Sequence, residues 1–307
     1  MKDNTLKKRK AIEKLFAYSL VIYPLIHFAV FWIYVNFGTV ISTFTRYNFS
    51  EYVFCGFDNY VRVFKKMILG EDPALHRAFF NSFMAIGINA IVLPIAIFSA
   101  YAFYKGMPGT KIYSVAFYIP QLISMVVLTM VFKYMFRQEF GPVALLCARI
   151  SGHPVDFVSM DSDLLWPLIW LYCIWSGLGS NVIMIRGAML KVPKEVEESA
   201  ILDGCGFFRE LRSIVIPLCM STISIYILSS VMSAASFTMA PYFLAGGSGG
   251  KNGRFMTVSL NIFMGVSGSA SPGAMITYST MGVFFTIVLT PIVLIVKAVT
   301  KKLTPEF

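Results

Sequence analysis

The side chains best equipped for polar chemistry are gathered in one stretch, Lys191 to Pro217 (KVPKEVEESAILDGCGFFRELRSIVIP), inside an otherwise apolar chain. Nine charged residues lie between Lys191 and Arg212: Lys191, Lys194, Glu195, Glu197, Glu198, Asp203, Arg209, Glu210 and Arg212. At about 3 kcal/mol per charge at mid-bilayer, they exclude this segment from lipid. The chemistry open to it is ionic recognition of something outside the membrane. Pro193 suits the first turn of a helix, Glu195, Glu197 and Glu198 follow where the positive end of the helix dipole favours them, and Gly204 supplies a stop. A second short helix is expected from about Phe207 and ends at Pro217.

Catalytic chemistry finds no comparable footing. The three histidines are His27, within an apolar run, and His76 and His153, in polar segments. No H-E-x-x-H, no G-x-S-x-G and no paired intramembrane carboxylates occur. His27 reads as a packed or hydrogen-bonded residue. The nearest approach to a phosphate-binding loop is Gly250-Lys251, but position 245 is Ala where a Gly is needed and Asn252 replaces the Ser or Thr. The chain is therefore expected to hydrolyse no ATP and to hold no cofactor or metal. A polytopic membrane enzyme, which would place ionisable groups at depth, stays as the rival from another class.

The elements that position the charged loop follow from composition. With 57% hydrophobic residues among 307 and a mean hydropathy of +0.69, the chain reads as an all-α, multi-pass integral membrane protein. A basic tail (1–14) precedes a first span at 15–41, read as a retained signal anchor. An outer segment (42–80) follows, with Phe57, Tyr60, Val61, Phe64 and Ile68 spaced as the apolar stripe of a helix lying on the membrane surface. The core domain is expected over 81–297. Its spans fall at 81–104, 112–136 and 164–185, then, after the charged loop at 191–216, at 217–242 and 274–296, with a tail at 298–307. Pro94 and Pro120 would kink their spans. An outer loop over 138–163 holds one short helix at 143–150, Ala245 to Arg254 reads as a flexible outer turn, and 255–266 is too short to span.

Orientation follows from counting bases. Placing both ends inside puts 16 of the 26 Lys and Arg residues in cytoplasmic segments, while the 16 acids divide evenly. That is the asymmetry of the positive-inside rule, and it sets the charged loop in the cytoplasm. The net charge of +10 is thereby explained by topology, with no basic domain for nucleic acid. Five cysteines make an odd count, and three of them (Cys173, Cys205 and Cys219) fall in or beside membrane or cytoplasmic segments, so no disulfide framework is expected, while a Cys55–Cys147 pair stays open.

Glu198-Ser199-Ala200, then Asp203-Gly204, then Ile214 and Ile216-Pro217, resemble the EAA loop of bacterial ABC importer permeases. Leu190-Lys191-Val192-Pro193 is similar to the lead-in of the carbohydrate permeases of the maltose type, and Gly56-Phe57-Asp58-Asn59-Tyr60 to an element those permeases place after their first span. The departures, Ser199 and Cys205 for alanine and Ser221 for a second proline, are small residues that add no bulk. The resemblance implies a type I importer transmembrane domain with six spans and both termini inside. It also implies a coupling helix seated on a separate ATPase, with Glu198, Ser199, Ala200, Asp203, Gly204 and Pro217 as the coupling residues. ATP and Mg would be bound by that ATPase. A second permease chain, an extracytoplasmic solute-binding protein and membrane lipid complete the implied partners.

The same resemblance implies a sugar site on the helices flanking the loop, at Trp175, Ser176, Gly177 and Ser180 before it and Ser230, Ser233 and Ser236 after it. Spans four and five offer hydroxyls, aromatics and one amide without an ionisable carboxylate or base between Pro217 and Tyr242. Such a lining suits a neutral polyol, since sugars stack on aromatic rings and exchange hydrogen bonds with hydroxyls. Small residues also serve helix packing, and that reading stays open beside the pocket. Cys173 and Ala234 replace amides carried by some members, so a permease of the same fold for another solute, a polyamine or phosphate, stays as the alternative.

Overall fold

The computed structural model describes residues 2–48, 51–268 and 271–304, with side chains from residue 13 onward. The described residues are mostly helical, with one β-hairpin among them. In order the helices are α1 (Lys2–Phe28), α2 (Val35–Ser42), α3 (Asp58–Met67), α4 (Pro73–Ser82), α5 (Met84–Tyr104), α6 (Thr110–Leu122), α7 (Met125–Met135) and α8 (Pro142–Ser151). They continue with α9 (Leu165–Met189), α10 (Lys194–Leu202), α11 (Phe207–Glu210), α12 (Ile216–Leu218), α13 (Met220–Met232), α14 (Met239–Leu244), α15 (Val258–Gly268) and α16 (Pro272–Leu303). Four stretches are long and apolar enough to cross a bilayer uninterrupted, Glu13–Ser42, Pro73–Tyr104, Leu165–Met189 and Pro272–Leu303; counting two bent helix pairs as one span each gives six.

The first span joins α1 and α2 through a π-helical turn at Ala29–Tyr34. From Leu15 to Ile41 its large apolar side chains stay exposed, and only its α2 end meets α16. Lipid satisfies such a helix without protein partners, because acyl chains are as apolar as leucine. The outer segment contains a structure that periodicity did not suggest: strands β1 (Thr45–Asn48) and β2 (Glu51–Phe54) pair antiparallel, Tyr47 opposite Tyr52. Asn59, within the Gly56–Tyr60 element, ties them to α3. Its amide donates to the carbonyls of Thr43 and Thr45, both at 2.8 Å, and the Tyr60 and Thr43 hydroxyls lie 2.6 Å apart.

The stripe expected on α3 packs only in part: Tyr60 and Ile68 are half-buried, and the Phe64 ring meets Phe284 of α16 edge-on at 6.4 Å. Asn59, Val63 and Met67 are buried, Val63 and Met67 against α4 and α16, while Phe57, Val61 and Phe64 remain exposed. Apolar residues at the membrane surface can be covered by lipid, so an apolar stripe there does not identify the protein-facing side.

Two expected spans are broken. The third, expected as one helix over 112–136, turns by 111° between α6 and α7. Pro120 lacks the N–H that would continue the ladder, and the break follows at Ile123-Ser124. The bent strand of chain packs on α9, where the amide of Gln121 donates to the carbonyl of Ser176. Gly179 is fixed at that crossing, since a Cβ there would lie 2.2 Å from the Phe117 carbonyl oxygen. The fifth, expected as continuous from 217 to 242, turns by 78° at Cys219, after a π-helical turn (Leu211–Val215) and Pro217. It then narrows to a 3₁₀ turn at Ser233–Ala235 and resumes only as α14.

The outer turn at Ala245–Arg254, expected to be flexible, is anchored. The Phe255 ring that follows it is fully buried, the Arg77 guanidinium donates to the Asn252 carbonyl at 3.0 Å, and the Asn81 amide donates to the carbonyls of Arg254 (2.9 Å) and Met256 (2.8 Å). Cys55 and Cys147 are free thiols, as are the other three cysteines.

The main core joins α5 to α9 through Val92, Ala96, Ala100, Val182 and Ile185, and extends through Val192, Leu211, Val215 and Cys219 into the charged loop. Alanines on α5 let the two backbones approach closely. The loop is thereby continuous with the membrane core.

Candidate functional site: the coupling loop and the cavity behind it

The charged loop folds as a helical hairpin. Pro193, extended at ψ 136°, caps α10, and the first turn carries Glu195 and Glu197 at the positive dipole end. Asp203 closes the helix, and Gly204 adopts φ +69°, a left-handed conformation that disfavours any side chain. The Cys205 N–H then donates to the Ala200 carbonyl at 2.9 Å, and α11 begins at Phe207.

The hairpin sorts its side chains by face. Ala200 is buried, whereas Glu198, Ser199 and Asp203 are exposed; the Ser199 hydroxyl is turned back onto the Glu195 carbonyl at 2.8 Å. Glu198 has no ion-pair partner among the described residues. Beside it the loop exposes Ile201 (64%), Leu202 (87%) and Phe208 (72%). Ile201 and Leu202 follow Glu198 by three and four residues on α10 and so share its face, while the Phe208 ring stacks on Phe98 of α5 at 6.3 Å. Pro217 is half-buried at the bend into the fifth span.

Two of the nine charges behave in the opposite way. Glu197 and Glu210 turn inward and converge on Lys105, the first residue after α5, with Nζ 2.7 Å from Glu197 and 2.6 Å from Glu210. Glu210 is buried, and the Tyr101 and Tyr104 rings lie 5.8 and 5.7 Å from the ammonium. Burial works against the Lys105 charge, but the hydrogen bonds and field of the two carboxylates outweigh it and hold its pKa above the ordinary lysine value. Sequence spacing gave no signal of this node, because Lys105 stands 92 residues before Glu197 in the chain.

Behind the loop, within the membrane region, lies a cavity of about 270 Å³ whose lining includes Asn89, Tyr172, Cys173, Ser176, Ser233, Ser236, Phe237 and Thr238. The lining carries no charge. It brings together three of the seven predicted pathway residues, Ser176, Ser233 and Ser236. The other four lie apart from it: the Trp175 ring stacks on Phe132 at 5.9 Å, and Gly177, Ser180 and Ser230 are absent from the lining. The helix turn decides this division, since successive residues on α9 point about 100° apart and only one side faces the cavity. Asn89, on the second span, was not anticipated. Its amide donates to the Ser233 hydroxyl at 3.0 Å and to the Ala85 carbonyl at 2.9 Å, so it joins span two to the broken part of span five.

Comparison with known proteins agrees with this architecture. Residues 92–307 match the family described as "Binding-protein-dependent transport system inner membrane component". Protein LplB of Bacillus subtilis is 27% identical over 229 residues, covering 70% of this chain and 68% of that protein. The xylose/arabinose import permease XacH of Haloferax volcanii is 25% identical, covering 71% of each. The maltose/maltodextrin permease MalF of Klebsiella aerogenes is 23% identical over 181 residues, and the matched stretch spans only 34% of its length. A crystal structure of a bacterial alginate ABC transporter in complex with a pentasaccharide-bound periplasmic protein contains a chain with the same fold. Its TM-score is 0.79 at 19% identity, covering 97% of this chain and 98% of that one. The protein is a multi-pass component of the cytoplasmic membrane with the type I importer fold, and by the match over more than two thirds of its length it belongs to the family of binding-protein-dependent transport system inner membrane components.

Proposed function

We propose that this chain is the permease subunit of an ATP-driven importer that moves a sugar or oligosaccharide across the cytoplasmic membrane by alternating access. The observation that supports the reading is the exposed face of α10, where Glu198, without an ion-pair partner among the described residues, stands with the uncovered Ile201 and Leu202. A separate ATPase covers that face. It binds the ATP and Mg, contributes a cation to Glu198, and on closing pushes the hairpin and the helices that flank it. The partners are two ATPase subunits, a second permease chain of different sequence, and an extracytoplasmic binding protein that delivers the solute to the outer loops.

The substrate assignment rests on the uncharged cavity and on the sugar names of the relatives. Hydroxyls of Ser176, Ser233 and Ser236, the Asn89 amide and the Tyr172 ring match the hydrogen-bonding and stacking needs of a neutral saccharide. The chain itself acts as a gated path and not as an enzyme.

Proteoliposomes holding the complete transporter test this reading. Glu198→Ala and Gly204→Asp are expected to release the ATPase or to stop ATP-driven uptake of labelled oligosaccharide, since removing one member of a buried interfacial charge pair costs about 2–5 kcal/mol. Normal transport by both variants overturns the coupling role. Uptake of a polyamine or phosphate in preference to every saccharide offered overturns the substrate class.

A further inference from the structure

We infer that Lys105 is a latch that makes the second span move with the coupling helix, so that force enters the membrane domain through α5 as well as through the two helices continuous with the loop. The inference rests on the coupling role proposed above. Its geometry is the convergence of three elements on one ammonium: the end of α5, Glu197 on the inner face of α10, and Glu210 at the end of α11. The side chains are 24%, 21% and 6% exposed, so water screens the contacts little. Two carboxylates facing one cation leave an unbalanced negative charge at the node, and Tyr101 and Tyr104, on the last turn of α5, interact with the same Glu210 and Glu197.

From this point α5 continues to the cavity as one helix, which accommodates Pro94 without a break. Sixteen residues separate Lys105 from Asn89 (105 − 89), about 24 Å along a helix at about 1.5 Å per residue. At the far end Asn89 donates to Ser233, where the fifth span is broken. A displacement of α10 is therefore delivered to the cavity by a rod whose two ends are both tied, one by charge and one by a hydrogen bond. Lys105 and Glu197 are positioning residues and touch no solute.

Glu197→Ala is the cleanest cut. It frees α10 while leaving Lys105 and Glu210 as a balanced pair, so the chain keeps its buried charge satisfied. In the reconstituted transporter the variant is expected to retain the ATPase and to hydrolyse ATP within about twofold of the parent, while solute moved per ATP falls about tenfold; Glu197→Asp recovers part of the loss. An unchanged ratio of uptake to hydrolysis, or loss of the ATPase from the complex, overturns the latch. A second measurement needs no partner. Amide hydrogen exchange in the solubilised chain is expected to rise at least fivefold in Glu197→Ala both across the turn at 105–109 and across α10, with Lys251→Met leaving both segments unchanged. Unaltered exchange in the turn at 105–109 overturns the latch even where the transport reading itself has failed.

Discussion

The two ends of the molecule use the same ion-pair chemistry to opposite effect. At the inner end Lys105, Glu197 and Glu210 meet at 2.6–2.7 Å with little exposure to water. At the outer end Lys251 faces Asp161 at 3.3 Å, and Arg254 pairs with Asp163, with the Asp side chains 67% and 89% exposed. The outer turn is held by something else: bonds from the Asn81 amide and the Arg77 guanidinium to backbone carbonyls, and the buried Phe255. Buried charge fixes the inner end, the one that carries the proposed coupling role. Backbone-directed hydrogen bonds fix the end that must only be held closed around its glycines.

The largest expected break in that contrast is Lys105→Met. It strands the Glu210 carboxylate in a buried site beside a second one, and the loss is about 3–5 kcal/mol, read as a fall in the denaturant midpoint of the purified chain. Glu210→Gln should cost far less, because Lys105 and Glu197 remain a balanced pair. Equal losses in the two variants would mean that packing, not charge, holds the inner end. Asn81→Ala is the middle case. Two carbonyls lose their donor, at about 1–3 kcal/mol, and protease cleavage within 245–254 should accelerate. The smallest effect belongs to Lys251→Met, whose exposed pair is worth less than about 1 kcal/mol and is screened by salt. A midpoint shift from Lys251→Met as large as that from Asn81→Ala would show that the outer charges hold the turn after all.

Much of the coupling hairpin was legible in the sequence. Pro193, the acidic first turn and Gly204 act within a few residues of themselves, so the start and end of α10 follow from local geometry. The cavity was half legible. Ser176, Ser233 and Ser236 line it, but the family resemblance named Trp175, Gly177, Ser180 and Ser230 with equal weight, because nothing local tells which side of an apolar helix faces protein and which faces lipid. The bends at Ile123-Ser124 and Cys219 were hidden for a related reason: the composition of each run is the same on both sides of its break, and a proline signals a kink without its angle.

By itself the sequence determined that this chain lives in a membrane, how often it crosses, which end is inside, and that one charged loop stands outside the lipid. These follow from the cost of moving charges into lipid, a cost each segment bears alone. Only the tertiary structure decided which of the nine charges in that loop turn outward and which turn in. Glu198 and Glu197 are neighbours in the chain, and a rotation of about 100° along one helix leaves the first exposed and turns the second to Lys105, 92 residues away.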